Sequence, residues 1–593
     1  MCGICGVLGR TDRDVVARML ATIRHRGPDD AFIVSGEGFT MAAARLSIID
    51  VAGGRQPLHN EDGTVTASQN GEIYNFRVLR EELLQRGHRL RTRSDTEVLP
   101  HLWEDDGCRL PERIDGMFAV AVWDARRRFG LLARDRVGKK PLYYWEHDGA
   151  IYYASELKAL LEIPGFDRRL NLHALHHYLS YKHVPHPLTI FEDVKILPPA
   201  HRLLFEAGTA PRVERYWQLS FAPGDEPLGD EEEIVDELIA RLKPAVARRL
   251  VADVPVGFFL SGGIDSSLVT ALAAETAATR IKTFTLTYEG SSTTQGKEQD
   301  RRWARWTAER FATDHSEETI TCSDYPSAIR KILQAFDEPF AGVVSTYFLA
   351  EAMARHVKVA VSGDGADELF GSYLSHRIAF QKAAEGGEPD WEWRAKLLVL
   401  SEEEKRELYA PAVRDALADT STAVHLHRAF EHLTAQDPLN RILEAEFGGI
   451  FPDQVLTFVD RLSMAHALEV RSPFLDTDVV EFVASLPGRL KLCNGETKHL
   501  LKKAALRYFP EEMIRRPKEG FLMPITSWVL GHLQPWVRET LSPERLRVHG
   551  LFDPAHVGRL IDRLREPGAD YVAVNRVLVL AIFQEWYELY LAS

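Results

Sequence analysis

The first two hundred residues place short apolar runs between Gly, Asp and charged breaks. "MFAVAVWDARRRFGLLARD" has this texture, and "PLYYWEHDGAIYYAS" sets aromatic runs on either side of the turn-former His-Asp-Gly, which predicts a β-hairpin. The pattern implies an α+β or layered-sheet domain. It changes at "LSFAPGDEPLGDEEE", residues 219–233, where Pro, Gly and acids crowd together as in an interdomain linker. Next, "DEEEIVDELIARLKPAVARRL" carries Ile234, Leu238, Leu242, Val246 and Leu250 at helical spacing. Acids fill its first turn and Arg248 and Arg249 its last, so it is read as a helix. "VPVGFFLSGGIDSSLVTALAAETA" then reads as an apolar strand, a Ser-Gly-Gly loop and a helix. "VKVAVSGDGADELFGSY" repeats that plan, and "IKTFTLTY" supplies another strand between them. Strands alternating with helices predict a parallel sheet buried on both faces. The last two hundred residues are mostly helical by pattern.

A chain of 593 residues exceeds what one core supports, so at least two domains are expected. With 45% hydrophobic and 27% charged residues the composition is that of an ordinary globular protein. No run approaches the roughly 20 apolar residues that span a bilayer, and no basic-then-apolar leader opens the chain. No membrane association is expected, and the cytoplasm is the expected compartment. The 5 cysteines, at 2, 5, 108, 322 and 493, are too few and too scattered for a disulfide framework. A net charge of −14 argues against a nucleic-acid partner. The basic clusters "RDRVGKKP" and "DRRWARW" are read as solvated helix or internal ion-pair sites.

Two loops carry recognisable chemistry. In "SGGIDSS", Gly262 and Gly263 allow a tight turn. Backbone N–H groups and the hydroxyls of Ser261, Ser266 and Ser267 can then surround an anion at a helix N-terminus. No Lys follows the glycines, so this is not the common NTPase loop, and a nucleotide is better held by a departing pyrophosphate. In "SGDGADE", Asp364, Asp367 and Glu368 are expected to cluster beside those phosphates, a carboxylate set that suits Mg²⁺. The plainer alternative is a helix start whose acids complement the dipole.

At the start of the chain, Cys2 and Cys5 form a Cys-x-x-Cys pair. A zinc site lacks further ligands at suitable spacing, and a redox pair would follow a strand and cap a helix. The remaining reading removes Met1, so that Cys2 gains a free α-amine titrating near ~7.7–8.0 that can take the thiol proton. The thiolate attacks a carbonyl, and the side-chain amide of Asn70 with the Gly71 N–H can catch the oxyanion. Taken alone, "NGEIYN" would also pass for an Asn-Gly hairpin turn.

"MCGICG", "RHRGPDD", "RLSIID", "NGEIYN", "SGGIDSS", "SGDGADELFGSY" and "EVRSPFLD", in this order, resemble the glutamine-hydrolysing asparagine synthetase family across essentially the whole chain. The resemblance implies a fold of class α+β and α/β. Residues 1–218 would be an N-terminal αββα sandwich of the N-terminal-nucleophile type, acting as a glutaminase. After the linker 219–233, residues 234–593 would be a parallel-sheet ATP-pyrophosphatase domain with a helical C-terminal part. Cys2 would form a glutamyl thioester and release ammonia, with Asn70 and Gly71 as the oxyanion hole. Glutamine would lie against Arg45, Leu46, Ser47, Ile48 and Ile49, its α-carboxylate on Arg45 and its ammonium on Glu72 and Asp95. ATP would meet Leu260, Ser261, Gly262, Gly263, Asp265, Ser266, Ser267, Leu286, Ser362 and Gly363, and Mg²⁺ would meet Asp265 and Asp367. Lys498 would stabilise charge on an acyl-adenylate, and Asp364 would take a proton from the attacking ammonia. An ammonia channel and a homodimer are further implications of the family.

Two features depart from the family pattern. Asp364 stands where many members carry Glu, and "GSSTTQGKEQDRR" differs near the expected acceptor site, with Asp300 in place of Glu. The acceptor therefore stays open between aspartate and another carboxylate, such as a surface sugar, a peptide or a natural-product intermediate. "NLHALHHYLSYKHVPH", with His173, His176 and His177, is read as a surface helix rather than a metal site, and the cysteines other than Cys2 as small buried apolar residues.

Overall fold

The computed structural model describes residues 2–222, 229–288, 297–321, 324–385, 390–516 and 523–592. Met1, Cys322 and most of "GSSTTQGKEQ" lie outside the described residues, as does part of the expected linker.

Two six-stranded sheets build the N-terminal half. One contains β1 (Cys2–Leu8), β2 (Asp30–Gly36), β3 (Phe39–Arg45), β8 (Tyr143–His147), β9 (Ala150–Ala154) and β10 (Lys195–Ile196), in the order β10-β8-β9-β1-β3-β2. The other contains β4 (Leu58–His59), β5 (Val65–Ile73), β6 (Gly116–Asp124), β7 (Phe129–Arg134), β11 (His201–Glu206) and β12 (Arg212–Arg215), in the order β12-β11-β7-β6-β5-β4. Alternate side chains on each strand face opposite layers. Ile4, Leu8, Met41 and Ala43 meet Ala119, Ala121, Trp123 and Leu132 between the sheets. Cys5, Val7, Ala42 and Ala44 turn outward onto Val15, Val16 and Met19 of the helix Arg13–Thr22. On the far side, Phe118, Val120 and Val122 pack against Leu79, Leu83, Leu99 and Trp103 of the helices Phe76–Gln85 and Val98–Asp106. The result is an αββα sandwich. Its central strands are buried on both faces, which is why they read as apolar runs.

The expected hairpin joins β8 to β9 through Asp148 and Gly149, with φ of 50° and 70°. Asn70-Gly71, by contrast, forms no turn. Both lie inside β5, paired with Ala119 and Phe118. Gly71 has φ of 150°, and a Cβ there would lie 1.9 Å from the Met117 carbonyl oxygen.

The C-terminal half holds a five-stranded parallel sheet: β13 (Val256–Phe259), β14 (Lys282–Tyr288), β15 (Asp314–Ile320), β16 (Val359–Val361) and β17 (Glu469–Arg471), ordered β15-β14-β13-β16-β17. The chain runs outward from β13 through β14 to β15, then returns to the other side of β13 as β16. The crevice between β13 and β16 is thus the topological switch point, where open α/β sheets bind ligands. Both Ser-Gly loops leave the carboxyl ends of these two strands. The helix Glu231–Arg249 begins with a capping box from Asp230 and Glu233, three residues before the expected end of the linker.

The helix Leu172–Tyr181 is not on the surface. His176 and His177 are 3% and 6% exposed. Their partners are Glu402 and Tyr409 for His176 and Thr422 for His177, and the Tyr178 hydroxyl donates to the Val579 carbonyl. The helix is sandwiched between the first sheet and the C-terminal helices, whose side chains share one apolar core with it. Among the free cysteines Cys5 is buried as expected, whereas Cys108 and Cys493 are only partly so. No described helix is long and apolar enough to cross a membrane.

Candidate active sites

Cys2 opens β1, opposite Arg45 of β3, and is 5% exposed. Burial pushes its thiol above the ordinary value, against the pull of a Leu46 backbone hydrogen bond and Arg45. The amide of Gln56 donates to Cys2 Sγ at 3.1 Å, while Gln56 Oε1 accepts the Gln69 N–H at 2.7 Å. Gln56 thus ties the thiol to the strand that carries Asn70 and Gly71. Nothing in the motifs pointed to it. The Asn70 side chain is fully buried, and among the described residues neither its nitrogen nor its oxygen has a hydrogen-bond partner. A buried amide left unmatched in this way is costly unless a ligand completes it. An oxyanion hole has this character, because its donors are complete only when charge develops.

The expected glutamine-binding residues divide into two groups. Arg45 donates to the carbonyls of Ile49, Asp50 and Val51 at 2.7–3.1 Å and so folds the loop Leu46–Ile49 around itself. Leu46 and Ile48 are buried, and the Ser47 N–H donates to Asp29 at 2.7 Å. Opposite them, Asp95 accepts from the Gln69 amide at 2.6 Å and the Ile73 N–H at 3.0 Å. Glu72 lies 3.2 Å from Arg471. Burial raises both carboxyls above their usual range, and Glu469 and Asp95 push Glu72 further. Carboxyls held so gain when a cation such as an α-ammonium arrives.

At the switch point, Gly263 caps the helix Ile264–Thr276. The Ser266 hydroxyl accepts the Ser261 N–H at 3.2 Å and lies 3.1 Å from the Ser261 hydroxyl, and Ser261 Oγ accepts the Gly263 N–H at 3.3 Å. The cradle is thereby pre-folded, with Ser267 buried behind it. Gly262 has φ of 80°, and a Cβ there would lie 2.0 Å from the Asp300 carbonyl oxygen. Asp300 also binds Arg516 at 2.6 Å, so this departure from the family pattern supports the loop from behind. Leu260 and Leu286 are buried on neighbouring chain segments of β13 and β14.

Lys498 adopts a left-handed backbone, with φ of 56°, and is 4% exposed. Its ammonium bridges Asp265 Oδ2 at 2.5 Å and Asp367 Oδ1, which raises its pKa despite burial. The expected acids lie near one another, since Asp367 and Asp364 both push the buried Glu368 carboxyl up, but each has its own hydrogen-bond or ion-pair partner. Asp367 joins Asp265, the Ser362 hydroxyl donates to Asp364 at 2.6 Å, and the Tyr373 hydroxyl donates to the buried Glu368 at 2.5 Å. Successive residues of a helical first turn point about 100° apart, so neighbours in sequence reach different partners.

A buried polar chain connects the two sites. Arg26 donates to the Cys2 carbonyl at 3.3 Å and to Asp460 at 2.8 Å, and Asp460 also binds Lys140 at 3.0 Å. The adjacent Lys139 donates to Ser472 at 2.5 Å, and Ser472 lies 3.1 Å from the Ser362 hydroxyl that holds Asp364. Burial lowers Lys139 to about 8 despite Asp364 nearby. Arg26 lies in "RHRGPDD", Ser472 in "EVRSPFLD", and Lys139 and Lys140 in "RDRVGKKP", of whose two readings the internal ion-pair site is the one found; Asp460 lies in no quoted motif.

A model of the asparagine synthase family matches residues 237–588, and one of the glutamine amidotransferase domain matches residues 1–217. Asparagine synthetase (glutamine-hydrolyzing) 1 of Bacillus subtilis (strain 168) is 31% identical over 99% of this chain and 97% of its own length. Asparagine synthetase (glutamine-hydrolyzing) 3 of the same organism is 29% identical over 99% of both chains. Asparagine synthetase (glutamine-hydrolyzing) 2 of Arabidopsis thaliana is 29% identical over 91% of this chain and 82% of its own. With a buried Cys2 at the start of an αββα sandwich and a serine-lined cradle at the switch point of a parallel sheet, the chain belongs to the glutamine-hydrolysing asparagine synthetase family.

Proposed function

We propose that the chain makes asparagine from aspartate, ATP and glutamine. Residues 1–218 act as the glutaminase and 234–593 as the synthetase, with 219–233 between them. The observation that carries the reading is the buried polar chain from Cys2 through Arg26, Asp460, Lys140 and Lys139 to Ser472 and Asp364, which gives two chemistries one rigid joint. A freestanding hydrolase has no use for such a joint.

In the first half, the free α-amine of Cys2 takes the thiol proton, Sγ attacks the glutamine side-chain carbonyl, and Asn70 and Gly71 hold the oxyanion; the proton passes to the leaving nitrogen as ammonia departs, and water then hydrolyses the thioester to release glutamate and restore the thiol. Arg45 pairs with the α-carboxylate of glutamine, and Glu72 and Asp95 with its ammonium. In the second half, an aspartate carboxylate oxygen attacks the α-phosphorus of ATP and pyrophosphate departs into the Ser261–Ser267 cradle, with Ser362 and Gly363 beside the nucleotide. Asp265 and Asp367 converge on one cationic point, Lys498 Nζ, an arrangement that also suits Mg²⁺ held by two carboxylates and phosphate oxygens. Bound there, Mg²⁺ would offset phosphate charge. Lys498 steadies the acyl-adenylate, ammonia attacks its carbonyl carbon, AMP leaves, and Asp364 takes the surplus proton. The cytoplasm is the proposed setting, in keeping with the free thiols of Cys2, Cys5, Cys108 and Cys493.

The test is mass analysis after incubation with ATP, Mg²⁺, aspartate and amide-¹⁵N glutamine. Labelled asparagine is expected. Intact glutaminase activity without it, together with label in another carboxylate's amide, would overturn aspartate as acceptor. Cys2→Ala should abolish glutamine-driven synthesis and spare ammonia-driven synthesis; equal loss of both contradicts separate sites.

A further inference from the structure

On the outer face of the sandwich, four side chains from three segments converge. Glu61 comes from the loop after β4, His88 from the turn after the helix Phe76–Gln85, and His101 and Glu104 from one face of the helix Val98–Asp106. Their ligand atoms all lie within 4.8 Å of one another. His101 Nδ1 is 3.3 Å from Glu61 Oε2, His88 Nδ1 is 3.4 Å from Glu61 Oε1, and each Nδ1 is 3.7 Å from Glu104 Oε2. Tetrahedral zinc with bonds of about 2.0–2.1 Å holds its ligands about 3.3 Å apart, so the set needs only small closure.

The hydrogen bonding around this set points to a cation. His101 is 1% exposed; among the described residues its Nε2 has no hydrogen-bond partner, and its Nδ1 faces Glu61 at 3.3 Å without hydrogen-bond alignment. A buried imidazole that faces two carboxylates, in hydrogen-bond alignment with neither, is a costly arrangement. The other ligands already have outer partners of the kind that orient metal ligands. His88 Nε2 lies 3.3 Å from Asp105 Oδ1, and Asp105 Oδ2 accepts from Arg86 at 2.9 Å. Glu61 Oε1 accepts the Arg89 N–H at 2.7 Å, and Glu104 Oε1 accepts from Asn60 at 3.0 Å. With Nε2–H of His88 given to Asp105, the Nδ1 lone pair faces carboxylate oxygens, and a divalent cation is what reconciles them.

We infer that Glu61, His88, His101 and Glu104 bind a structural zinc ion in the N-terminal sandwich. Two imidazoles and two carboxylates favour zinc over the all-oxygen sites of Mg²⁺. Four protein ligands close the coordination sphere, which marks a structural rather than a catalytic ion. Its place in the chain gives it a task. Gln56, which holds Cys2, lies five residues before Glu61, and Asp95 lies six before His101. The ion would staple the segment that presents Gln56 to the thiol to the one that presents Asp95 to Gln69 and Ile73.

The test uses the full chain, stripped with chelator, reloaded with Zn²⁺, gel-filtered and assayed for metal by mass spectrometry. About one equivalent per chain is expected. Co²⁺ loading should give the intense visible absorption of a tetrahedral site. His88→Gln and Glu104→Gln, at partly exposed positions that do not threaten the core, should each lose the ion and the cobalt spectrum. Asp105→Asn should weaken binding by about 10- to 100-fold. A parent chain that retains no zinc, or variants that retain as much as the parent, would overturn the site.

Discussion

Arg26 and Asp460, 434 positions apart, meet at 2.8 Å with both side chains wholly buried. The pair pins the segment beside Cys2 to the helix Thr457–Met464 of the C-terminal half. Removing one partner of a buried pair leaves an uncompensated charge and costs about 3–5 kcal/mol. Asp460→Asn removes the buried charge that faces Lys140 at 3.0 Å and leaves Arg26 with only Glu156 as its carboxylate at hydrogen-bond distance. It should lower the thermal midpoint and reduce glutamine-driven synthesis more than ammonia-driven synthesis. An unchanged midpoint contradicts the joint.

Gln56→Leu deletes the hydrogen bond to Cys2 Sγ and strands the Gln69 N–H. A hydrogen bond to a charged group contributes about 1.5–3 kcal/mol, so glutamate release should slow by about 10- to 100-fold. Ammonia-driven synthesis, measured in parallel, should stay within about twofold of the parent, the scatter expected of a site that is not touched. Equal slowing of both reactions rules out a local role for Gln56.

Lys498→Met removes the charge shared by Asp265 and Asp367. Preorganised charge of this kind supports rates by at least about 100-fold. Pyrophosphate exchange dependent on aspartate should fall by that factor while glutamine hydrolysis continues. Persistence of exchange would remove Lys498 from the adenylation step.

Glu338 accepts the Ile190 N–H at 2.8 Å and the Tyr143 hydroxyl at 3.2 Å across the joint between halves. Burial raises it to about 7, from an ordinary 4.5. The folded chain therefore holds this proton where the unfolded chain has lost it, and stability from this group falls as pH rises from about 4.5 through about 7. Partial exposure trims the effect to about 2 kcal/mol. Glu338→Gln should flatten the decline in thermal midpoint between pH 5 and 8; an identical pH profile in the variant would contradict the assignment.

Legibility in the sequence followed locality. The β8–β9 hairpin, the helix from Glu231 and the two strand-loop-helix units were readable because a turn, a cap or an apolar period is written within about twenty residues. "NGEIYN" shows the limit of such reading. Asn-Gly looks like a turn, but partners on β6 hold it inside a strand. The histidine helix looked like surface because its covering residues, Glu402, Thr422 and Val579, lie more than two hundred positions away.

The sequence by itself determined the chemistry on offer: a cysteine next to the initiator, an Asn-Gly pair, a serine-glycine cradle and the acids and lysine that serve phosphate. Reactive groups must be spelled out as residue types, and loops that bend around phosphate must be spelled with glycine. Only the tertiary structure decided which of them meet. Gln56 reaches Cys2, Asp367 leaves its neighbours for Asp265 and Lys498, and Arg26 finds Asp460, because sheet order and helix phase, rather than proximity along the chain, bring buried charges to their partners.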